Sequence, residues 1–138
     1  GTAKEKSMED VYLRYIQVSH LENNVLMHGF TNDATQILSK GDIFLSSSKS
    51  EGHPVALLEA MASEKYCIVS DIVPHQETAH GSLEFYDISQ PEALFEILKN
   101  IYLNQPDLNL LAKKSREVVD SNYSLKKMVQ SYVEQYNE

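Results

Sequence analysis

Residues 47–62 read Ser47-Ser48-Lys49-Ser50-Glu51-Gly52-His53-Pro54 and then Val55-Ala56-Leu57-Leu58-Glu59-Ala60-Met61-Ala62. The apolar run Ile43-Phe44-Leu45 comes just before them, which indicates a strand that ends in a small polar loop. Proline suits the first turn of a helix because its missing N–H is not needed there. The apolar spacing that follows predicts a helix to about 63, so this segment is a strand, loop and helix unit.

Apolar strand patterns alternate with helical patterns on both sides of this unit. Strands are predicted at Val25 to His28, Ile43 to Leu45, Tyr66 to Ser70 and, more weakly, Leu83 to Tyr86. Helices are predicted at about 7 to 19, 33 to 40 and 54 to 63, as a single turn around Glu77, from Pro91 to before Pro106, from Leu108 onward, and after a cap at Ser124. Such alternation is typical of an α/β domain with a parallel sheet.

Several details of packing are also predicted. The apolar face of the first helix should lie on a sheet, and Val25 to His28 should be buried. The strand at Ile43 to Leu45 should be covered on both faces, because its successive residues are apolar. Asn32 or Thr31 should cap the helix that ends at Gly41.

The composition limits the class of partner. The chain has 138 residues, of which 42% are hydrophobic, which is enough for one domain or one lobe of a larger protein. Its 20 acidic and 12 basic side chains give a formal charge of -8, without a cluster of Lys and Arg. Nucleic acid is therefore not expected as a partner, whereas a small anion can still bind at a helix N-terminus.

Cys67 is the single cysteine and lies in an apolar run, which predicts a buried free thiol and excludes disulfides. The apolar runs are far shorter than the ~20 residues that span a bilayer. Residues 1–6 have no signal-peptide core, and a reducing, cytoplasmic setting is expected. Peripheral association of a longer parent protein with the inner face of a membrane is compatible with these features.

The loop before Pro54 is the predicted ligand site, because ligands of parallel sheets bind beyond the carboxyl ends of the strands. Gly52 lets the backbone approach a ligand closely. The N–H groups of Val55, Ala56 and Leu57 should be free and point toward the mouth of the site.

Glu51 and Glu59 could grip two hydroxylated groups on either side of a phosphate, since Glu59 lies about 7 Å along the helix axis from Pro54. The simpler interpretation makes Glu51 an acid favoured by the helix dipole and Glu59 a solvated helix residue. A hydrolase with paired carboxylates is a third interpretation of the same spacing.

Other sites of chemistry are not indicated. The five histidines lack metal-ligand spacing and are interpreted as surface or capping residues, except His53, which lies inside the loop. No G-x-G-x-x-G, P-loop or G-x-S-x-G motif is present, which argues against dinucleotide dehydrogenases, nucleoside triphosphatases and α/β hydrolases.

The segment from Gly41 to Ala62 resembles the E-x7-E segment of retaining GT-B glycosyltransferases of the group 1 type, glycosyltransferase family 4. The matching residues are Gly41-Asp42-Ile43-Phe44-Leu45, Ser48, Glu51-Gly52-His53-Pro54 and Leu57-Leu58-Glu59-Ala60-Met61-Ala62. The likeness extends to Asn24 through Phe30, to Ser70-Asp71 through Glu77, and to Tyr123-Ser124. Glu64 and Tyr66 stand where a Gly and a Pro are usual.

The resemblance implies a role for each matching position. Glu51 would bind hydroxyls of the donor sugar and assist the reaction centre as the catalytic residue, and Glu59 would bind the ribose. The residues that would hold sugar and phosphate oxygens are Gly52, His53, Pro54, Val55 and Ala56. Gly29 and Phe30 would lie beside the base, and no metal or other cofactor is expected.

The resemblance also implies what this piece would lack. Residues 1–138 would be one donor-binding lobe, the C-terminal lobe of a GT-B fold, a Rossmann-like parallel sheet flanked by helices and truncated at its N-terminal side. It would include C-terminal helices at about 91–137. The acceptor lobe and a basic pair that neutralises the diphosphate would lie upstream, so this piece alone should be inactive. A non-catalytic nucleotide-binding or interaction module and a GT-B sugar-nucleotide epimerase remain as alternatives.

Overall fold

The computed structural model describes residues 3–124 together with Lys127, Val129 and Val133. Its elements are α1 (Ala3–Val18), α2 (Ala34–Leu38), β1 (Ile43–Ser46), α3 (Val55–Ala62), β2 (Tyr66–Ser70), α4 (Val73–Ala79), β3 (Glu84–Tyr86), α5 (Pro91–Asn104) and α6 (Leu108–Asn122). The predicted helix after Ser124 falls mostly outside the described residues. The chain divides into two compact units between Asn32 and Asp33.

The second unit contains a parallel three-stranded sheet in the order β1-β2-β3. Ser46 of β1 pairs with Val69 of β2, and Ser70 of β2 pairs with Tyr86 of β3. The predicted α/β class with a parallel sheet is therefore confirmed. Because the strands are parallel, their carboxyl ends lie at the same end of the sheet. The last residues of the three strands there are Ser46, Ser70 and Tyr86.

The core of this unit lies between α3, α6 and β2. Leu57, Ala60 and Met61 follow the spacing of one helix face, and they are buried in one cluster with Cys67 and Val69. Burying a side chain such as Leu57 or Met61 stabilises a fold by about 1.5–3 kcal/mol. At the end of α3, the guanidinium of Arg116 donates a hydrogen bond to the carbonyl of Ala62, which ties α6 to α3.

Local details of the second unit correct three predictions. Asp33, rather than Asn32 or Thr31, caps α2, because its carboxylate accepts a hydrogen bond from the Gln36 N–H at 3.0 Å. The predicted single turn around Glu77 is a seven-residue helix, α4, with Pro74 in its first turn. Leu45 is 46% exposed, so β1 is not covered on both faces; it is the edge strand of the described sheet.

The first unit corrects two further predictions. Helix α1 forms and buries Ile16, but most of its apolar side chains are exposed, among them Met8, Val11, Tyr12, Tyr15 and Val18. The run at 25–28 is not a strand, and Leu26 is 75% exposed. A strand needs a neighbour to pair its backbone groups, and this unit has no strand among its described residues. The predicted packing of α1 on a sheet is therefore not met within the described residues of this unit.

None of the helices in the described part of the chain is long and apolar enough to cross a membrane.

Candidate functional site

The loop 47–54 leaves the carboxyl end of β1 and enters α3, beside the ends of β2 and β3. This is the position that the sequence predicts for a ligand site of a parallel sheet. The structure places Glu51, Gly52 and His53 in this loop and Pro54 at the N-cap of α3.

Glu51 is held in place by Ser48, which in turn is bonded to Ser46. The Ser48 hydroxyl donates a hydrogen bond of 2.6 Å to Oε1 of Glu51, and the hydroxyl oxygens of Ser46 and Ser48 are 3.3 Å apart. Oε2 of Glu51 has no hydrogen-bond partner within the described part of the chain. The carboxylate therefore has a set orientation and one oxygen available for a ligand hydroxyl.

The start of α3 offers two N–H donors rather than the three predicted. The Val55 N–H donates to the carbonyl of His53 at 2.9 Å, which corrects the prediction that it is free. No side chain caps the helix, and the N–H groups of Ala56 and Leu57 have no acceptor among the described residues. Unpaired donors at a helix N-terminus favour an anion.

Glu59 lies on the exposed surface of α3, one turn after Val55. Its carboxylate has no hydrogen bond or ion pair among the described residues, so it is open to a ligand. The structure is compatible with a ligand group beside it, but it also fits a solvated helix residue.

Gly52 has space around it. A Cβ built at this position meets no atom within 4 Å, and its φ lies outside the left-handed region. Neither the backbone conformation nor packing within the described residues requires a glycine at this position. His53 is exposed beside it.

Gly29 and Phe30 belong to the first unit. Gly29 has a φ of +66°, a left-handed conformation that favours glycine. Phe30 is 92% exposed. Their role beside a base stays a prediction.

A polar network behind the loop was missed in the sequence. The Ser70 hydroxyl donates to the Ser48 carbonyl at 2.6 Å, and Nδ1 of His75 lies 2.9 Å from the Ser70 carbonyl oxygen. The Tyr86 hydroxyl donates to the Ser46 carbonyl at 3.3 Å, and burial raises the pKa of Tyr86, which keeps this donor protonated. The interpretation of the histidines as surface or capping residues is wrong for His75, which is 1% exposed. The available signal was a serine at the end of each of two apolar strands, with a histidine five residues after the second.

Cys67 lies in the core and takes no part in this site. It is a buried free thiol, as predicted, and burial raises its pKa to about 12. Within the described residues, no group of three or more His, Cys, Asp or Glu side chains is placed to hold a metal ion.

Comparisons with known proteins give consistent results. The profile of Glycosyl transferases group 1 matches residues 1–104. The chain is 25% identical over 131 residues to an Escherichia coli UDP-Gal:alpha-D-GlcNAc-diphosphoundecaprenol alpha-1,3-galactosyltransferase, an alignment that covers 94% of the chain and 34% of the relative. It is 24% identical over 142 residues to the poly(ribitol-phosphate) alpha-N-acetylglucosaminyltransferase of Staphylococcus aureus strain COL, covering 96% and 28% respectively. The chain thus spans about a third of the length of these relatives.

A solved structure shares the fold. Sucrose-phosphate synthase from Thermosynechococcus elongatus superposes with a TM-score of 0.78 at 20% sequence identity. The match covers 98% of this chain and 35% of that one. The likeness concerns the architecture of the parallel sheet and its helices.

Proposed function

Because the chain belongs to the Glycosyl transferases group 1 family and has the Rossmann-like fold of a GT-B lobe, as its resemblance implied, we propose that it binds a nucleotide-diphosphate sugar. In this proposal residues 1–138 form part of the donor-binding, C-terminal lobe of a glycosyltransferase, and its C-terminal helices begin at about residue 91. One observation carries the proposal: two unpaired N–H groups, of Ala56 and Leu57, lie in sequence between the carboxylates of Glu51 and Glu59.

Each part of the site fits one part of such a donor. The diphosphate binds at the start of α3, where the dipole and the two N–H groups favour negative charge. Oε2 of Glu51 accepts a hydrogen bond from a sugar hydroxyl. Glu59 accepts hydrogen bonds from the ribose.

The loop completes the sugar site. The open space at Gly52 admits the sugar close to the backbone, and His53 borders it. Pro54 is buried and sets the position where α3 begins. The N–H of Val55 is already bonded to the carbonyl of His53. Val55 therefore contacts the donor through its exposed side chain.

The reaction is transfer of the sugar to an acceptor with retention, as part of a longer protein. Glu51 assists at the reaction centre, and the start of α3 stabilises the leaving diphosphate without a metal. In the proposal the basic groups and the acceptor site lie upstream of this piece in the longer protein, which agrees with a piece whose charge is -8. The name of the E. coli relative includes UDP-Gal, which supports the donor class. The buried free Cys67 supports a reducing, cytoplasmic setting.

Titration of the chain with UDP, GDP and ADP and their sugars, followed by calorimetry and NMR, tests the proposal. One nucleotide series should produce shifts at Glu51, Ala56 and Leu57. Glu59→Gln should weaken binding about 10- to 100-fold, the effect of losing charge-assisted hydrogen bonds. Glu92→Gln, at an exposed position in the first turn of α5, is the matched control and should leave affinity unchanged. The absence of heat and shifts with every nucleotide would contradict the proposal.

A further inference from the structure

His75 is a buried polar side chain with no role in the proposed donor contacts. Its Nδ1 lies 2.9 Å from the Ser70 carbonyl oxygen and 3.3 Å from the Ser70 hydroxyl oxygen. Its Nε2 is buried and has no hydrogen-bond partner among the described residues. An unpaired buried polar atom costs about 1–3 kcal/mol, so the position of this ring calls for a physical reason.

Counting protons settles the tautomer of the neutral ring. The Ser70 hydroxyl oxygen lies 2.6 Å from the Ser48 carbonyl, which can only accept, so the single hydroxyl proton is used there. Both Ser70 oxygens that face His75 must then act as acceptors. Nδ1 therefore carries the proton, and Nε2 is the bare nitrogen.

The same count orders the hydrogen bonds of Ser48. Its hydroxyl proton is donated to the Glu51 carboxylate at 2.6 Å, so its oxygen accepts the proton of Ser46 at 3.3 Å. Its carbonyl is held by Ser70. Ser48 is thus fixed at its backbone and at its side chain. The hydrogen bonds run in one direction, from His75 to Ser70, from Ser70 to Ser48 and from Ser48 to Glu51.

We infer that His75 is a positioning residue for Glu51. Its Nδ1–H donates to the carbonyl and hydroxyl oxygens of Ser70, and the Ser70 hydroxyl anchors the Ser48 backbone. The Ser48 hydroxyl then holds Oε1 of Glu51 and leaves Oε2 for a ligand. His75 itself does not touch the donor. The inference rests on the proposed function, because only that function makes Glu51 a ligand-binding residue. The hydrogen bonds from His75 through Ser70 and Ser48 to Glu51 can nevertheless be measured without a ligand.

Two amide replacements separate positioning from simple packing. The amide nitrogen of His75→Asn can occupy the place of Nδ1, whereas that of His75→Gln reaches the place of Nε2. Asn should keep affinity for the nucleotide sugar that binds best within about threefold of the original. Gln should lower it about 10-fold, because Ser48 then no longer holds the Glu51 carboxylate in place, and the loss is comparable to one ligand hydrogen bond to a charged group. In a Glu51→Ala background, His75→Gln should add no further loss.

The ¹³C shift of the Glu51 carboxyl supplies a readout that needs no donor. His75→Gln and Ser70→Ala should both move it, and His75→Asn should not. Ser70→Ala also keeps the test available if a His75 variant fails to fold. Thr78→Val, at a second buried polar side chain of α4, is the control and should alter stability without moving this shift.

Equal effects of Asn and Gln on the shift, or a full effect of Gln in the Glu51→Ala background, would overturn the inference. A chain that binds no nucleotide sugar but shows the expected shifts would overturn the proposed function alone and support the positioning role.

Discussion

Two short runs of mostly apolar residues adopt different structures in this chain. Tyr66 to Ser70 forms the central strand β2, buried between β1 and β3, whereas Val25 to His28 forms no strand and exposes its side chains. Both runs satisfy the local pattern of a strand. The difference lies in their neighbours, since a strand is stabilised by backbone partners on its sides and side chains on its faces.

The largest expected difference between the two regions is in thiol reactivity. Burial raises the pKa of Cys67 from 9.0 to about 12, so its thiolate fraction near neutral pH should fall about a thousandfold. Cys67 should react with a disulfide reagent only as the chain opens. A cysteine introduced as Leu26→Cys in a Cys67→Ala background should react like a free thiol. Rapid labelling of Cys67 under native conditions would contradict its placement in the core.

The next largest effect is on stability. Leu57→Ala removes a side chain that is 1% exposed and should lower the free energy of unfolding by about 2–5 kcal/mol. Leu26→Ala is the matched change in the exposed run and should alter it by less than about 0.5 kcal/mol. Urea denaturation followed by circular dichroism measures both. Similar losses for the two variants would show that the run at 25–28 is buried after all.

A pair of glycines sharpens the comparison further. Gly29→Ala places a side chain at a φ of +66° and should destabilise the local turn by about 1 kcal/mol. Gly52→Ala meets open space, so stability should change little, but affinity for a nucleotide sugar should fall about 10-fold. Thermal unfolding and calorimetric titration separate the two effects. Unchanged affinity in Gly52→Ala would argue against close approach of a sugar there.

The smallest effect concerns pH and the turn after β3. The hydroxyl and N–H of Ser89 and the side-chain amide of Gln90 donate to Asp87 and lower its pKa. Because the folded-state pKa is depressed, the contribution to stability is complete above the unfolded pKa of about 3.9 and is lost as the pH falls through the folded pKa. The stability difference between the original chain and Asp87→Asn should stay constant from about pH 6 to about pH 5 and shrink as the pH falls below about 4. A stability difference that stays constant down to about pH 3 would show that the charge of the Asp87 carboxylate does not stabilise the fold.

The elements of the second unit were largely predictable because their signals are local. Pro91 and Pro106 bracket α5, and apolar runs mark all three strands. The cap at Asp33 was displaced by one residue from Asn32, since three adjacent polar side chains compete for that position. The exposed face of α1 was not predictable, because an apolar stripe specifies a need for burial but not the presence of a partner.

The candidate site divides in the same way. Glu51, Gly52 and Glu59 could be identified from their order around a loop and a helix start. The engaged N–H of Val55 and the buried ring of His75 could not, because each depends on the geometry of a turn or on packing.

The sequence by itself determined the alternation of strands and helices, the position of the polar loop before α3, and the resemblance to a family of glycosyltransferases. These follow from periodicity and turn chemistry over a few neighbouring residues. Only the tertiary structure decided which apolar run becomes a strand and how Glu51 is oriented. The reason is that strand pairing and the bond from Ser70 to Ser48 join residues far apart in the chain, and their geometry exists only once the sheet has formed.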